Sequence, residues 1–194
     1  NRLIKLIPEW KGKSIRIKSL VGGLTNTNYQ IIVDEKSFFL SIPGSNAKLL
    51  NIDYENKYYN NKICGEIHIS PKVINFIDSE NLLVTEFIES KVSSLIDFQG
   101  FDQIQKLVKN IKRIHNSNPF LRKFNMFNQI NYYKTILAKQ DFPKKLLKYI
   151  NNINVLKEKL YIPDDKLVPC HNDLLAENII SRDNQIFIID FDYS

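Results

Sequence analysis

The sequence predicts an α+β protein with two lobes, a β-rich lobe over residues 1–87 and a mainly helical lobe over residues 88–194. Two observations indicate this order. Short apolar runs separated by turn residues fill the first part, which is typical of an antiparallel sheet. Apolar residues at three- and four-residue steps follow, which is the pattern of helices with one buried face. We place the lobe boundary near Ile88.

The first lobe is expected to hold five strands and one helix. The strand candidates are residues 14–18, 29–33, 38–42, 72–77 and 81–87. Turn residues separate them, including Asp34 to Lys36 and the pair Gly22-Gly23. Residues 52–63 are polar with Tyr and Ile at helical intervals. The sequence therefore predicts a five-stranded antiparallel sheet with one inserted helix.

The second lobe is expected to be mainly helical. Residues 98–115 carry apolar side chains on one helical face, and residues 132–138 and 146–156 are two further helix candidates. Residues 178–180 and 186–189 form two apolar runs around a turn. The chain ends directly after the last run, where globular domains seldom stop, so we expect this lobe to be incomplete and the chain to be truncated at its C-terminus.

Composition excludes several classes of protein. No apolar run reaches the roughly 18 residues of a membrane-spanning helix, so we expect a cytoplasmic protein without membrane insertion. The net charge is +6, but the lysines are dispersed, which favours a solvated surface over a nucleic-acid interface. Cys64 and Cys170 form neither a metal-ligand spacing nor a disulfide framework. Nothing in the sequence indicates an oligomeric state.

The strongest functional signal is the segment HNDLLAEN at residues 171–178, followed by an apolar strand that ends in Asp190. Phosphoryl transfer needs a carboxylate that orients the attacking hydroxyl and ligands for the magnesium ions that neutralise the phosphates. Asp173 lies in a predicted loop where it can accept the hydroxyl proton. Asn178 and Asp190 offer the oxygen ligands that Mg²⁺ prefers. Each residue alone is more often structural, but their order predicts a phosphotransferase that uses ATP and Mg²⁺.

The chain resembles the choline and ethanolamine kinases, particularly their bacterial branch, within the aminoglycoside phosphotransferase group of protein-kinase-like folds. Four phrases carry this resemblance: GGLTNTNY at 22–29, LLVTEFI at 82–88, HNDLLAENII at 171–180 and IIDFDYS at 188–194. They occur in the family's order and span nearly the whole chain. The resemblance implies a two-lobed kinase-like fold with ATP between the lobes. It also implies phosphoryl transfer from ATP to the hydroxyl of choline, giving phosphocholine and ADP.

The resemblance also implies residue roles. Asp173 would be the catalytic base or hydroxyl-orienting group, and His171 would hold the catalytic loop in place. Asn178 and Asp190 would bind magnesium. The residues of the turn over the ATP phosphates would be Gly22, Gly23, Thr25, Asn26 and Thr27, and the adenine-binding hinge would be Glu86, Phe87 and Ile88. The residues beside the choline site would be Asp192, through its charge, and Tyr193, through a cation–π contact.

Two positions depart from the family pattern. The third strand of these kinases carries a basic residue that meets the nucleotide phosphates, and Ser41 stands there in this chain. Lys57 stands where the following helix should carry an acidic residue, unless Glu55 takes that role. We hypothesise that Lys57 replaces the missing strand cation. The alternative is that Lys57 is one more solvated lysine.

Other functions stay open on the sequence alone. The substrate could be another small alcohol such as ethanolamine, thiamine or an aminoglycoside, because the aromatic residues that complete the choline pocket in the family lie beyond the position of Ser194. A catalytically idle pseudokinase that binds nucleotide is a second possibility, motivated by Ser41. The presence of all three predicted catalytic and metal residues argues against it.

Overall fold

The structure, a computed structural model, describes residues 6–21, 25–45, 47, 49–98, 100–138, 145, 149–150 and 152–194. Gly22 and Gly23, predicted to cover the phosphates, lie outside the described residues, as do residues 146–148 of a predicted helix. The described residues form two compact units. The first comprises the chain up to Arg122 together with Pro169–Ser194, and the second is Lys123–Val168. The predicted lobe boundary near Ile88 stays a prediction.

A five-stranded antiparallel sheet forms the first part of the first unit, as the sequence predicts. Its strands are β1 (Ile15–Leu20), β2 (Asn26–Val33), β3 (Lys36–Pro43), β4 (Val73–Ile77) and β5 (Leu82–Glu86). The order across the sheet is β1-β2-β3-β5-β4, and all neighbours are antiparallel. Asp34 and Glu35 join β2 to β3 with positive φ angles of 46° and 72°, which a two-residue hairpin with the native strand twist requires.

One face of this sheet holds an apolar core. The buried side chains of this core are Ile7, Trp10, Ile31, Val33, Leu40, Leu82 and Val84. Trp10 reaches it from a short 3₁₀ turn, Pro8–Trp10, and its ring lies 5.3 Å from that of Phe38 on β3. Alternation along β2 and β5 places Ile31 and Val33, and Leu82 and Val84, on the covered face, so the period of two in the sequence sets much of the core.

Helix α1 (Tyr54–Glu66) lies between β3 and β4 in the chain and is unusual in burying polar residues. Asp53 caps it by accepting a hydrogen bond of 3.0 Å from the Asn56 N–H. Its buried polar residues are Asn56, Lys57, Asn60 and Asn61. Burying such groups costs free energy unless each finds a hydrogen-bond or ionic partner. These four side chains therefore need hydrogen-bond or ionic partners inside the protein.

The remainder of the first unit joins a helix to a small sheet. The elements are β6 (Lys91–Val92), α2 (Phe101–His115), β7 (Ile179–Arg182) and β8 (Gln185–Ile188). The three strands form a second sheet in the order β6-β7-β8. Helix α2 starts at Phe101 rather than at residue 98, because Leu95–Phe98 is a separate 3₁₀ turn. A second core forms from Cys64, Ile69, Ile114, Ile188 and Phe191.

The second unit contains two described helices, α3 (Met126–Leu137) and α4 (Ile153–Lys159). Helix α3 begins earlier than the predicted residue 132, since Asn125 caps it by accepting hydrogen bonds from the N–H groups of Phe127 and Asn128. Within the described ranges, none of the helices has the length and apolar character needed to cross a membrane.

The sheet core gives a direct test of the described burial pattern. Ile31 is fully buried, whereas Ile17, its partner across β1 and β2, is 43% exposed. We expect Ile31→Ala to lower the free energy of unfolding by about 2 to 5 kcal/mol, the usual cost of a large-to-small change in a packed core. Ile17→Ala, the matched control, should cost less than half as much. Urea denaturation of both variants measures the difference, and equal losses would contradict the described burial of the two side chains.

Candidate active site

A cavity of about 580 Å³ lies inside the first unit. This volume falls in the range of roughly 300 to 1,000 Å³ that is common for small-molecule sites. Apolar side chains form much of its wall: Leu20, Val21, Phe39, Leu83, Phe87, Ile88, Ile180 and Ile189. Its charged lining residues are Lys57, Glu86, Glu177 and Asp190. The cavity therefore offers apolar walls for a flat ring together with a charged region for polar groups.

The structure brings most of the predicted site residues to this cavity. Those that line it are Thr25, Asn26, Lys57, Glu86, Phe87, Ile88, Asn178 and Asp190. The predicted residues outside its described lining are Thr27, His171, Asp173, Asp192 and Tyr193. Predicted site residues that are far apart in the sequence, from Thr25 to Asp190, therefore line the same cavity. The catalytic-loop residues among the exceptions connect to it through hydrogen bonds.

The predicted hinge follows β5. The Glu86 N–H donates to Lys72 O at 2.9 Å, and the Phe87 N–H donates to Ser37 O at 3.4 Å. The Glu86 carbonyl accepts a bond of 3.0 Å from the Thr85 hydroxyl. Within the described part of the chain, the Ile88 N–H donates to no backbone carbonyl. Of the three predicted hinge residues, Ile88 is therefore the one that retains a backbone donor for a ligand.

His171 anchors the predicted catalytic loop. Its ring is buried, with Nε2 2.8 Å from Ile189 O and Nδ1 3.3 Å from the Asp173 backbone N. Because the Asp173 N–H donates to Nδ1, Nε2 must carry the ring proton and donate to Ile189. Burial lowers the pKa of His171, so the ring is neutral near pH 7. This geometry supports the loop-holding role implied by the resemblance.

Asn178 joins the loop to the cavity. Its side-chain Nδ2 donates to Asp173 O at 2.9 Å, which fixes the amide and leaves Oδ1 as an oxygen ligand. Asp190, two residues after the end of β8, has a φ of +69°, a region that residues other than Gly seldom adopt. The flanking backbone holds it there, because Ile188 N–H bonds Ile69 O at 2.8 Å and Ile189 N–H bonds Asn178 O at 2.9 Å. Strain of this kind is commonly retained where it positions a functional group.

Lys57 lies within a buried charge cluster. Its Nζ forms an ion pair with Asp192 Oδ1 and lies 3.7 Å from Asp190 Oδ1. The side chains of Lys57 and Asp192 are only 6% and 4% exposed, against 41% for Asp190. The alternative of a solvated lysine is therefore wrong. The carboxylate of Asp192 is enclosed, whereas a residue that attracts a substrate headgroup would need an exposed carboxylate.

Two more polar residues complete this cluster. Asp192 Oδ2 accepts a hydrogen bond of 3.3 Å from Asn26 Nδ2, and Asn26 Oδ1 accepts one of 3.2 Å from the Tyr54 hydroxyl. Partial desolvation inside the cavity, followed by the neighbouring Asp192, raises the pKa of Asp190 to about 6, while Lys57 opposes that rise. Burial and the same two carboxylates raise the pKa of Tyr54 to about 12. The local excess of negative charge favours a bound cation.

A magnesium ion fits the donor set. Among the described residues, no three His, Cys, Asp or Glu side chains cluster in a way that could hold a metal by themselves. Mg²⁺ in phosphoryl-transfer sites, however, takes only one or two protein oxygens and completes its shell with water and phosphate. Asn178 and Asp190 both line the cavity and supply such oxygens. These two residues would hold the ion together with a nucleotide.

Sequence reasoning missed the asparagines of α1. Asn56 Nδ2 donates to Ser194 O at 2.7 Å, while Asn56 Oδ1 accepts from the Arg122 N–H at 3.1 Å. Asn60 bridges Ser194 O and the Leu121 N–H, each at 3.3 Å. The Ser194 hydroxyl donates in turn to His171 O at 3.3 Å. The signal in the sequence was two Asn residues four positions apart on a predicted helix without an apolar face. Because Asn is abundant throughout the chain, this pair did not stand out.

The family assignment follows from comparison with known proteins. Fold and site together define a kinase-like protein with a candidate nucleotide cavity. The family model for choline/ethanolamine kinase matches residues 17–194. The chain belongs to the choline/ethanolamine kinase family.

Individual relatives agree with this assignment. Protein LicA of Haemophilus influenzae is 27% identical over 181 residues, covering 91% of this chain and 53% of that protein. Ethanolamine kinase 2 of Mus musculus is 29% identical over 209 residues, covering 100% and 53%. The crystal structure of choline kinase LicA from Streptococcus pneumoniae matches with a TM-score of 0.78 at 23% identity, covering 99% and 68%. The predicted kinase-like fold is confirmed, and the chain spans about half the length of these two curated relatives.

The asparagine bridges predict a stability difference within α1. Asn56→Ala removes one buried and one partly buried hydrogen bond and leaves Ser194 O and the Arg122 N–H with fewer partners. We expect the free energy of unfolding to fall by about 1 to 3 kcal/mol. Asn61→Ala is the matched control, because the described bond of the Asn61 side chain is a local one of 2.8 Å to Lys57 O. Chemical denaturation that shows equal losses for the two variants would contradict the bridging role.

Proposed function

We propose that the full-length protein is an ATP-dependent kinase that phosphorylates the hydroxyl of a small amino alcohol, with choline as the substrate. One observation carries this proposal. Asn178 lines the cavity beside Asp190 and is also hydrogen-bonded to the backbone of Asp173, so the candidate metal ligands and the candidate base belong to one linked site. Phosphoryl transfer depends on this combination of positioning and electrostatic stabilisation.

The apolar part of the cavity suits an adenine ring. Phe39, Leu83 and Ile189 line this part of the cavity. The Ile88 N–H, which has no backbone partner among the described residues, can donate a hydrogen bond to a ring nitrogen. The Glu86 and Phe87 N–H groups already bond to neighbouring segments. Of the predicted hinge residues 86–88, we therefore propose that Ile88 is the one whose backbone N–H donates a hydrogen bond to adenine.

The chemistry assigned to the site is an in-line displacement. Asp173 orients the alcohol and accepts its proton as the oxygen attacks the γ-phosphorus. The new bond joins the alcohol oxygen to phosphorus, and the bond between the γ-phosphorus and its bridging oxygen breaks, releasing ADP. Bound Mg²⁺, held by Asn178 and Asp190, would neutralise the phosphate charge. His171 keeps the loop in place without transferring a proton, since its ring is neutral and both nitrogens are engaged.

Choline rather than ethanolamine is the finer part of the proposal. The resemblance to the bacterial branch supports it and implies a cation–π contact from the ring of Tyr193, whose backbone carbonyl accepts a bond of 2.7 Å from Asn172 Nδ2. A ring face attracts a quaternary ammonium through its quadrupole. Ethanolamine stays the leading alternative, because relatives named ethanolamine kinases match at a similar identity, 29% against 27%. ATP is a cytoplasmic substrate, which supports the cytoplasmic location that composition predicts.

Asp173→Asn tests the proposed base. We expect turnover in the full-length protein to fall by about two to four orders of magnitude, the usual contribution of a positioned general base. Affinity for Mg²⁺-ATP should stay within about threefold, because the side chain of Asp173 lies outside the described cavity lining. A coupled ADP-release assay and calorimetry measure the two quantities. Turnover within a few-fold of the parent would contradict the assignment.

Asp190→Ala separates the metal role from the base role. This variant should weaken Mg²⁺-dependent ATP binding as well as turnover, since it removes one of two candidate oxygen ligands. Calorimetric titration of ATP with and without Mg²⁺ measures the effect. Unchanged Mg²⁺-ATP affinity would count against Asp190 as a ligand.

A panel of alcohols tests the substrate. We expect the full-length protein to show a higher kcat/KM for choline than for ethanolamine, because a trimethylammonium fills aromatic walls better than a primary ammonium. ADP release with choline, ethanolamine, thiamine and an aminoglycoside measures the ranking. A preference for ethanolamine would move the assignment within the family, and ADP release with none of the four would favour the nucleotide-binding pseudokinase.

A further inference from the structure

We propose that Lys57 is the cation that contacts the nucleotide phosphates in this chain, and that Asp192 is the buried residue that positions it. This inference rests on the proposed ATP site and extends it. It assigns Asp192 to the phosphate side of the site, in place of the headgroup-attracting role implied by the resemblance.

The charges around the cavity require such a cation. Among its described lining residues, three carry carboxylates (Glu86, Glu177 and Asp190), and Lys57 is the one with a positive charge. A Mg²⁺-ATP complex retains net negative charge, so it would enter a cavity that already repels it. Charge-assisted hydrogen bonds from an ammonium to phosphate oxygens are among the strong interactions available there. On β3, Ser41 faces the same cavity and is 5% exposed, but it offers only a hydroxyl.

Lys57 is placed at the border between the interior and the cavity. Its Nζ contacts Asp192, which is enclosed, and lies 3.7 Å from Asp190, whose side chain is 41% exposed. The separation from Asp190 is longer than a hydrogen bond. An ammonium has three donors, and the ion pair with Asp192 needs only one of them. The other donors are available to a phosphate that enters beside Asp190.

Asp192 is built as an anchor. Its Oδ1 forms the ion pair with Lys57 and its Oδ2 accepts from Asn26, so each oxygen faces a polar partner. Its side chain is 4% exposed, which leaves almost no surface for a substrate headgroup. Protein kinases hold their phosphate-binding lysine, which lies on a strand, with a glutamate on a helix. In this chain the lysine comes from the helix and the carboxylate from the segment after β8, so both charges lie on elements other than those that carry them in protein kinases.

The first experiment measures ligand binding by calorimetry on the full-length protein and needs no turnover. Lys57→Met should weaken Mg²⁺-ATP binding about tenfold or more, while binding of adenosine, which has no phosphate, changes less than about twofold. Lys62→Met is the matched control, because Lys62 is an exposed lysine on the same helix. Adding Ser41→Lys to the Lys57→Met variant should restore much of the lost ATP affinity by returning a cation to the strand.

A second pair of variants covers the case in which Lys57→Met does not fold. Lys57→Met combined with Asp192→Asn removes both buried charges, so the carboxylate is not left unpaired in the interior. This double variant should show the same loss of Mg²⁺-ATP affinity and the same unchanged adenosine binding. Asp192→Asn alone should raise the KM for ATP several-fold and leave the KM for the alcohol within about twofold, as expected of a residue that positions Lys57.

The outcomes separate this inference from the proposed function. If the parent protein binds Mg²⁺-ATP and Lys57→Met, or the double variant, binds it equally well, the role of Lys57 is overturned and the kinase proposal stands. If Asp192→Asn raises the KM for the alcohol and not that for ATP, Asp192 belongs to the headgroup site and the anchoring role is overturned. If the parent protein binds no Mg²⁺-ATP, the proposed function fails first, and this inference fails with it.

Discussion

The burial of one ammonium between two carboxylates is the constraint on which the rest of the site depends. Lys57 lies on α1, whereas Asp190 and Asp192 follow the last strand. Isolated charges in a protein interior are very costly, so these three groups are stable only while they remain together and hydrogen-bonded. Asn26 supplies one such bond to Asp192, and Tyr54 holds Asn26. The charge cluster therefore ties the sheet and α1 to the segment that carries the candidate metal ligand Asp190.

The polar face of α1 extends the same constraint beyond the charges. Asn56 and Asn60 use both ends of their amides, binding the backbone at Ser194 on one side and at residues 121–122 on the other. Ser194 in turn bonds His171, which holds Asp173. A continuous chain of hydrogen bonds thus runs from α1 to the catalytic loop. The helix pairs its polar groups with specific backbone positions, which fixes the geometry more closely than apolar packing would.

The parts of this account that the sequence predicted are local in the chain. Alternation of apolar residues predicted the five strands, and the spacing from His171 to Asn178 predicted a loop with a candidate base and a candidate metal ligand. The parts that it missed depend on partners far apart. Nothing near Asn56 indicates that its amide meets Ser194, which is 138 positions away. Likewise, the sequence around Lys57 is that of a surface lysine, and only the folded structure shows that its ammonium pairs with Asp192. The start of α3 was missed because the cap at Asn125 precedes the apolar pattern.

The most direct test of this account is a crystal structure of the full-length protein with Mg²⁺ and a non-hydrolysable ATP analogue. The account predicts the adenine between the apolar walls near Ile88, a metal ion on Asp190 and Asn178, and the Lys57 ammonium within hydrogen-bond distance, about 2.7 to 3.2 Å, of a phosphate oxygen while it remains paired with Asp192. A nucleotide whose phosphates lie away from Lys57 and Asp190, with the buried charge cluster unchanged, would contradict it.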